Sequence, residues 1–237
     1  MSGHSKWAQI KRKKGVTDQK RAQIFTKLSR MITLAVSEGG GSANPEINIR
    51  LRLAIAQAKV ANMPRNTVER AIAKATSIGK DMLVSGVYEA YGPGASALII
   101  SFASSNTNRT FSELRTILDR GGGKMAGKGA VSYMFEKCIQ IYYKGANGLD
   151  NLVLNRAQEL NAITYDEAGG GVVMHIPFEL MGKTQEDEEA LLVYRPIVTV
   201  EVLDAQQWED LEVLIERLSQ HDDVQDVFTN ALFVPQK

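Results

Sequence analysis

The sequence predicts an α+β, multidomain protein: an N-terminal helical bundle followed by compact, ferredoxin-like α/β units. Three observations carry that prediction. Apolar residues recur at helical spacing up to residue 80, then at strand spacing interrupted by single helices. The chain of 237 residues exceeds one minimal core and suits two or three small domains. A net charge of +1 hides a sharp division: residues 1–80 carry sixteen Lys/Arg against four acids (+12), and the rest carry twelve against twenty-three (−11). Each half repels itself, so the asymmetry reads as a basic module for a polyanion on an acidic body.

The elements follow in order. Thr17 or Asp18 caps a first helix over 18–37 that stops at Gly39. Ile24, Phe25, Leu28, Met31, Ile32, Ala35 and Val36 share one face, while Lys20, Lys27 and Arg30 line another flank and are expected to face a charged ligand. Asn44-Pro45 opens a second helix over 45–61; "INIRLRLAI" alternates like a strand, but the cap and the alanine-rich "AQAKVANM" decide for helix. A third runs from Pro64 to Ser77 with Arg65, Arg70 and Lys74 outward. "GVYEAYGPGASALIISFASS" is two strands joined at a Pro-Gly turn. Thr110 and Glu113 form a capping box for a helix that turns Phe111, Leu114, Ile117 and Leu118 inward and ends at Gly121. "AVSYMFEKCIQIYYKG" reads as two strands broken near Glu136-Lys137, followed by a helix at 149–160 and strands at 162–167 and 171–177. After the charged "GKTQEDEEALLVY" comes the strand "PIVTVEVL". Asp204 caps a helix with Trp208, Leu211, Leu214, Ile215 and Leu218 inward, and "DVQDVFTNALF" closes as strand.

Several function classes fall away. No apolar run approaches the roughly 18 residues of a membrane span. The first residues carry cations without an apolar stretch behind them, unlike a secretory signal. The single cysteine, Cys138, makes no internal disulfide and points to a reducing compartment, the cytoplasm by default. Gly122, Gly127 and Lys128 satisfy the spacing of a phosphate-binding loop, but Gly129 lacks the metal-binding hydroxyl and the flanks are helix then strand, the reverse of the required order. His4, His175 and His221 are scattered, so no metal site is expected, and His175 in "VVMHIP" reads as structural. "QEDEE" and "HDDVQD" read as solvated charge. No cofactor is expected, and the chain is not read as an enzyme.

The stretch "GHSKWAQIKRKKG" is the strongest binding signal: Lys6, Lys11, Arg12, Lys13 and Lys14 lie within thirteen positions with no acid. Trp7 and His4 are placed to stack on exposed bases, and Trp7 equally suits an anchor of the stretch to the core, the two roles being compatible. Ser5 joins them, with Lys20, Lys27 and Arg30 as the continuation. A second tier comprises Arg65, Arg70, Arg109 in "NTNRT" at a helix start, and Lys124 and Lys128 in the glycine-rich loop.

"GHSKWAQIKRKKG", "IFTKL", "NMPRNTVERAIAK", "YGPG", "NTNRT", "GGGKMAGKGAVSYMF" and "DDVQDVFTN" resemble, in order and over most of the chain, the YebC family. The resemblance implies three domains: residues 1–80, residues 81–135 plus 197–237, and residues 136–196 inserted into the second. It also implies a regulator of gene expression. The family carries a transcriptional, DNA-binding label, and some members look like translation factors that bind the ribosome and relieve stalling. The tail resembles the basic extensions that ribosomal ligands thread into rRNA, and no helix-turn-helix recognition helix stands out, so rRNA and the ribosome are preferred over duplex DNA. A monomer is slightly favoured. Two stretches depart from the family pattern: Ala90 and Ala95 replace usual glycines, and residues 178–196 are shorter and unlike.

Overall fold

The structure is a computed structural model that describes residues 18–77, 83–145, 150–168, 170–185 and 188–235. The basic stretch 3–15, with His4, Ser5, Lys6, Trp7 and Lys11 to Lys14, lies outside the described residues, as does the cap of the first helix.

The N-terminal body is three helices: α1 (Asp18–Glu38), α2 (Ile49–Val60) and α3 (Arg65–Ser77). Leu28, Ile32, Ala35 and Val36 of α1 recur along one face and close on Leu51, Ala54 and Ala58 of α2 and on Ala71 of α3. Helix α2 starts four residues later than the Asn44-Pro45 reading. The Asn44 side chain accepts the Glu46 N–H at 2.9 Å and so makes a local turn, and the cap is Asn48. Buried Asn48 serves two helices: its Oδ1 accepts Leu51 N–H at 3.0 Å, and its Nδ2 donates to the Ala35 carbonyl of α1 at 2.8 Å. A Cβ on Gly39 would stand 2.2 Å from that Asn48 amide, so the crossing requires glycine.

The strand-like alternation in "INIRLRLAI" has its explanation in the packing of α2. Leu51 enters the helical core, whereas Leu53 enters the core of a sheet formed later in the chain. A helix held on two sides loses the single apolar stripe by which it is recognised. Replacing Leu53 by alanine is expected to cost about 2–4 kcal/mol, as for other buried leucines. Urea unfolding checks this, and a loss under about 1 kcal/mol would show that the helical body does not lean on that sheet.

The first sheet has the order β3-β1-β2-β9, all antiparallel neighbours: β1 (Val84–Tyr91), β2 (Ala97–Ser104), the short β3 (Lys124–Met125) and β9 (Val224–Thr229). Strand β2 is apolar on both faces because both are covered. Leu98 and Ile100 meet Leu114 and Leu118 of α4 (Thr107–Arg120) and Leu211, Leu214 and Leu218 of α6 (Ala205–Gln220). Ala97 and Ile99 meet Val131 and Phe135 on the other side. Asp204 caps α6 as expected, its Oδ1 accepting Gln207 N–H at 3.0 Å. The capping box for α4 is corrected: Asn106 is the cap, accepting Arg109 N–H at 3.1 Å, and Thr110 is buried one turn in. Phe111 is half out of the core, edge-on to Tyr88. In the hairpin turn Ala95 sits at φ +56°, a left-handed conformation that glycine adopts freely.

The second sheet has the order β5-β6-β4-β7: β4 (Phe135–Lys144), β5 (Thr164–Ala168), β6 (Gly171–Pro177) and β7 (Glu189–Pro196). Helix α5 (Asn151–Glu159) carries the chain from β4 to β5 around the antiparallel β6, the split crossover of ferredoxin-like domains. Among the described residues the crossover from β6 to β7 carries a 3-10 segment, Phe178–Lys183, where that plan puts a second helix; Phe178, Leu180 and Met181 pack on the sheet core beside Leu53. Strand β4 is continuous, so the expected break at Glu136-Lys137 is absent. Glu136 is paired across the ladder with Arg195 at 2.7 Å, and the Lys137 ammonium lies 4.0 Å from the Phe178 ring. At Asn230 the chain leaves the first sheet, and β10 (Ala231–Phe233) pairs in parallel with β8 (Val200–Val202).

Candidate nucleic-acid interface

Two of the three cations on the α1 flank, Lys27 and Arg30, face the acidic body, where the sequence reading expected an open row. Lys27 donates to the Ser219 carbonyl at 2.6 Å, and Arg30 donates to the Asp222 carbonyl at 2.6 Å and to Asp223 Oδ1 at 2.5 Å. Lys20, mostly exposed, lies 3.9 Å from Glu216. The row therefore runs along the end of α6 and the start of β9, holding the helical body against the first sheet.

Asp223 anchors this seam. It is 2% exposed, and its second oxygen accepts from Thr110 Oγ1 at 2.6 Å, Ser104 Oγ at 2.9 Å and Arg109 at 3.5 Å. Burial alone would push its carboxyl up. The hydrogen bonds from Thr110, Ser104 and Arg30, with the Arg30 charge, outweigh burial and hold it below the ordinary range. Arg109, expected to meet phosphate at the start of α4, instead leans into this cluster and towards Glu113 at 4.0 Å. "HDDVQD" is thus not solvated charge throughout, and neither is "QEDEE". Glu188 is buried, accepting from Arg156 at 2.8 Å, Tyr143 OH at 2.7 Å and Gln185 N–H at 2.8 Å.

The glycine-rich loop is organised from within by Glu89, a buried acid on β1 that sequence reasoning did not single out. Its carboxylate accepts the N–H groups of Gly129 and Val131 at 2.7 Å and of Ser132 at 2.9 Å. Burial would raise its pKa, yet the backbone donors from Val131, Gly129 and Ser132 bring it below the usual carboxylate range. These three amides are occupied, so what this part of the loop offers outward is the exposed Lys124 and Lys128. Glu89 has no one-dimensional signature beyond an acid between Tyr88 and Ala90, and Asp223 sits in the run "HDDVQD", where one acid looks like the next.

Helix α3 faces solvent with Arg65, Arg70 and Lys74, Arg65 pairing with Glu69 one turn on at 2.9 Å and Arg70 resting on the Asn66 carbonyl at 3.1 Å. Exposed Arg21 and Lys59 add to the cations of this body. Cys138 is buried and its thiol is pushed up to about 12, far from a nucleophile. His175 is 2% exposed, its Nδ1 3.1 Å from Thr164 Oγ1, in keeping with a structural role. Among the described residues no cluster of three His, Cys, Asp or Glu could hold a metal ion, and no helix is long and apolar enough to cross a membrane.

Residues 5–78 match the family profile described as TACO1/YebC protein N-terminal domain, and residues 83–231 match TACO1/YebC second and third domain. A "probable transcriptional regulatory protein" of Fervidobacterium nodosum is 39% identical over 97% of this chain and 93% of that protein. Proteins of the same description are 40% identical in Leptospira biflexa, covering 97% and 96%, and 41% identical in Pseudothermotoga lettingae, covering 97% and 93%. The crystal structure of a conserved hypothetical protein from Aquifex aeolicus superposes with a TM-score of 0.85 at 34% identity, covering 98% of each chain.

Proposed function

Since the chain belongs to the TACO1/YebC family, we propose that it is a non-enzymatic, cytoplasmic, nucleic-acid-binding regulator of gene expression whose ligand is held by its N-terminal module. The charge division carries this reading: +12 in residues 1–80 against −11 beyond. The seam sharpens it. With Lys27 and Arg30 engaged by the acidic body, the outer helix α3 still presents Arg65 and Arg70 to solvent, and the cations of the stretch 3–15 are assigned to the same ligand.

The finer reading is ribosomal RNA, in a translation factor that relieves stalling. Clustered lysines beside Trp7 and His4 suit splayed bases and irregular backbones better than a regular groove. The second reading, duplex DNA, is favoured by the transcriptional names of the relatives. Competition at fixed salt separates them: rRNA or ribosomes outcompete a short DNA duplex, and the reverse order overturns the RNA assignment.

Changing Lys11, Arg12, Lys13 and Lys14 together to alanine is expected to leave Tm unchanged. It lowers RNA affinity at least about tenfold and reduces the slope of log affinity against log salt by about 3, the value for four lost phosphate contacts on a single strand. An unchanged slope would remove the stretch from the interface.

A further inference from the structure

A groove of about 510 Å³ opens between the end of α4, the Pro93–Gly94 turn and the side of α6. Arg120, the last residue of α4, and Arg217 of α6 stand on its walls, nearly a hundred residues apart in the chain. Both are exposed, and neither takes an acid or carbonyl partner among the described residues, unlike Arg109 and Arg115 on the same helix α4. Gly121 and Gly122 line the groove without side chains, beside Pro93, Gln207 and Val213, and Gly122 sits at φ +74°.

The amides of this turn are divided. Gly121 N–H and Gly123 N–H close the end of α4 on the Ile117 and Leu118 carbonyls, at 2.9–3.0 Å. That leaves Gly122 N–H without an acceptor among the described residues. Asp210 on the same groove already accepts from Gln206 at 3.0 Å, so two guanidinium groups face one carboxylate and the groove keeps one positive charge in excess.

We propose that this groove seats one phosphate group of the bound nucleic acid, between Arg120 and Arg217 with Gly122 N–H as a third donor. Two guanidinium groups on separate helices present several N–H donors to tetrahedral oxygens, the geometry in which arginine outperforms lysine. The assignment rests on the nucleic-acid reading above and extends it beyond the N-terminal module, to the otherwise acidic body.

Two measurements on the full chain test it. In the first, the variant Arg120→Gln/Arg217→Gln, with Tm unchanged, binds a short oligouridylate about three- to tenfold more weakly, and its salt slope falls by about 1. In the second, the Gly122 amide resonance shifts saturably with the oligouridylate and stops shifting in the variant. If inorganic phosphate moves Gly122 and the oligouridylate does not, the groove takes a free ion and the assignment to nucleic acid is overturned. If the oligouridylate binds with wild-type affinity and slope in the variant, the groove is not used, while the function reading stands through the N-terminal stretch. If no oligonucleotide or duplex binds the wild-type chain at all, both fall.

Discussion

Replacing Asp223 by alanine lowers folding stability by about 3–5 kcal/mol, the range for stripping one partner from a buried ion pair. Arg30, Arg109, Ser104 and Thr110 lose a shared acceptor at once, and both hydroxyls belong to fully buried residues. Arg30→Ala costs less, because the carboxylate it leaves behind keeps Thr110, Ser104 and Arg109 as donors. A urea-unfolding cycle of Asp223→Ala, Arg30→Ala and the double variant should return a coupling of about 1–3 kcal/mol. Simple additivity would mean that the pair does not hold the seam. The acid side of the stability profile gives an independent reading. Because the Asp223 carboxyl is held below its ordinary value, its contribution is complete above about pH 4 and drains away as pH falls through the folded-state value. Asp223→Ala should flatten that acid limb and run parallel to the wild type above it.

Glu89→Gln releases the glycine-rich loop at a cost of about 2–4 kcal/mol. Three amides converge on one carboxylate; a glutamine keeps a single acceptor oxygen and turns its NH2 group against donors. Amide exchange at Gly129, Val131 and Ser132 is expected to accelerate about tenfold or more in the variant. Full loss of stability with those three amides still protected would place the effect of Glu89 in strand β1 and not in the loop.

The elements were legible wherever one face is apolar and the cap is local. Helix α6 with Asp204 is of this kind, and the β1–β2 hairpin is marked instead by its Pro-Gly turn. What stayed hidden depends on distant partners. The α2 alternation makes sense only once Leu53 is seen to belong to a second core, and β4 runs unbroken because Glu136 finds Arg195 some sixty residues later. The candidate site divides in the same way. A concentration of cations can be counted along the chain, but which of them are spent internally cannot. Lys27, Arg30 and Arg109 share the residue types of Lys124 and Arg65, and the positions of Asp223 and of the Ser219 and Asp222 carbonyls set them apart. Arg120 and Arg217 carried no signal, since nothing in either local context brings two helices to one groove.

The antiparallel pairing of β2 with β9 has a consequence for how this protein is made. Strand β2, apolar on both faces, is complete at Ser104, but its neighbour begins only at Val224, more than a hundred residues later. Between the two, a nascent chain can finish the second sheet while β2 still lacks its outer ladder and the cover of α6. That open, apolar edge is the sort that invites pairing with another chain. Closing it is a non-local, late step. Refolding of the full chain should therefore show the second sheet protected before the first. Truncation within α6 should give a product that aggregates through "ALIISFAS" and not one that is merely less stable.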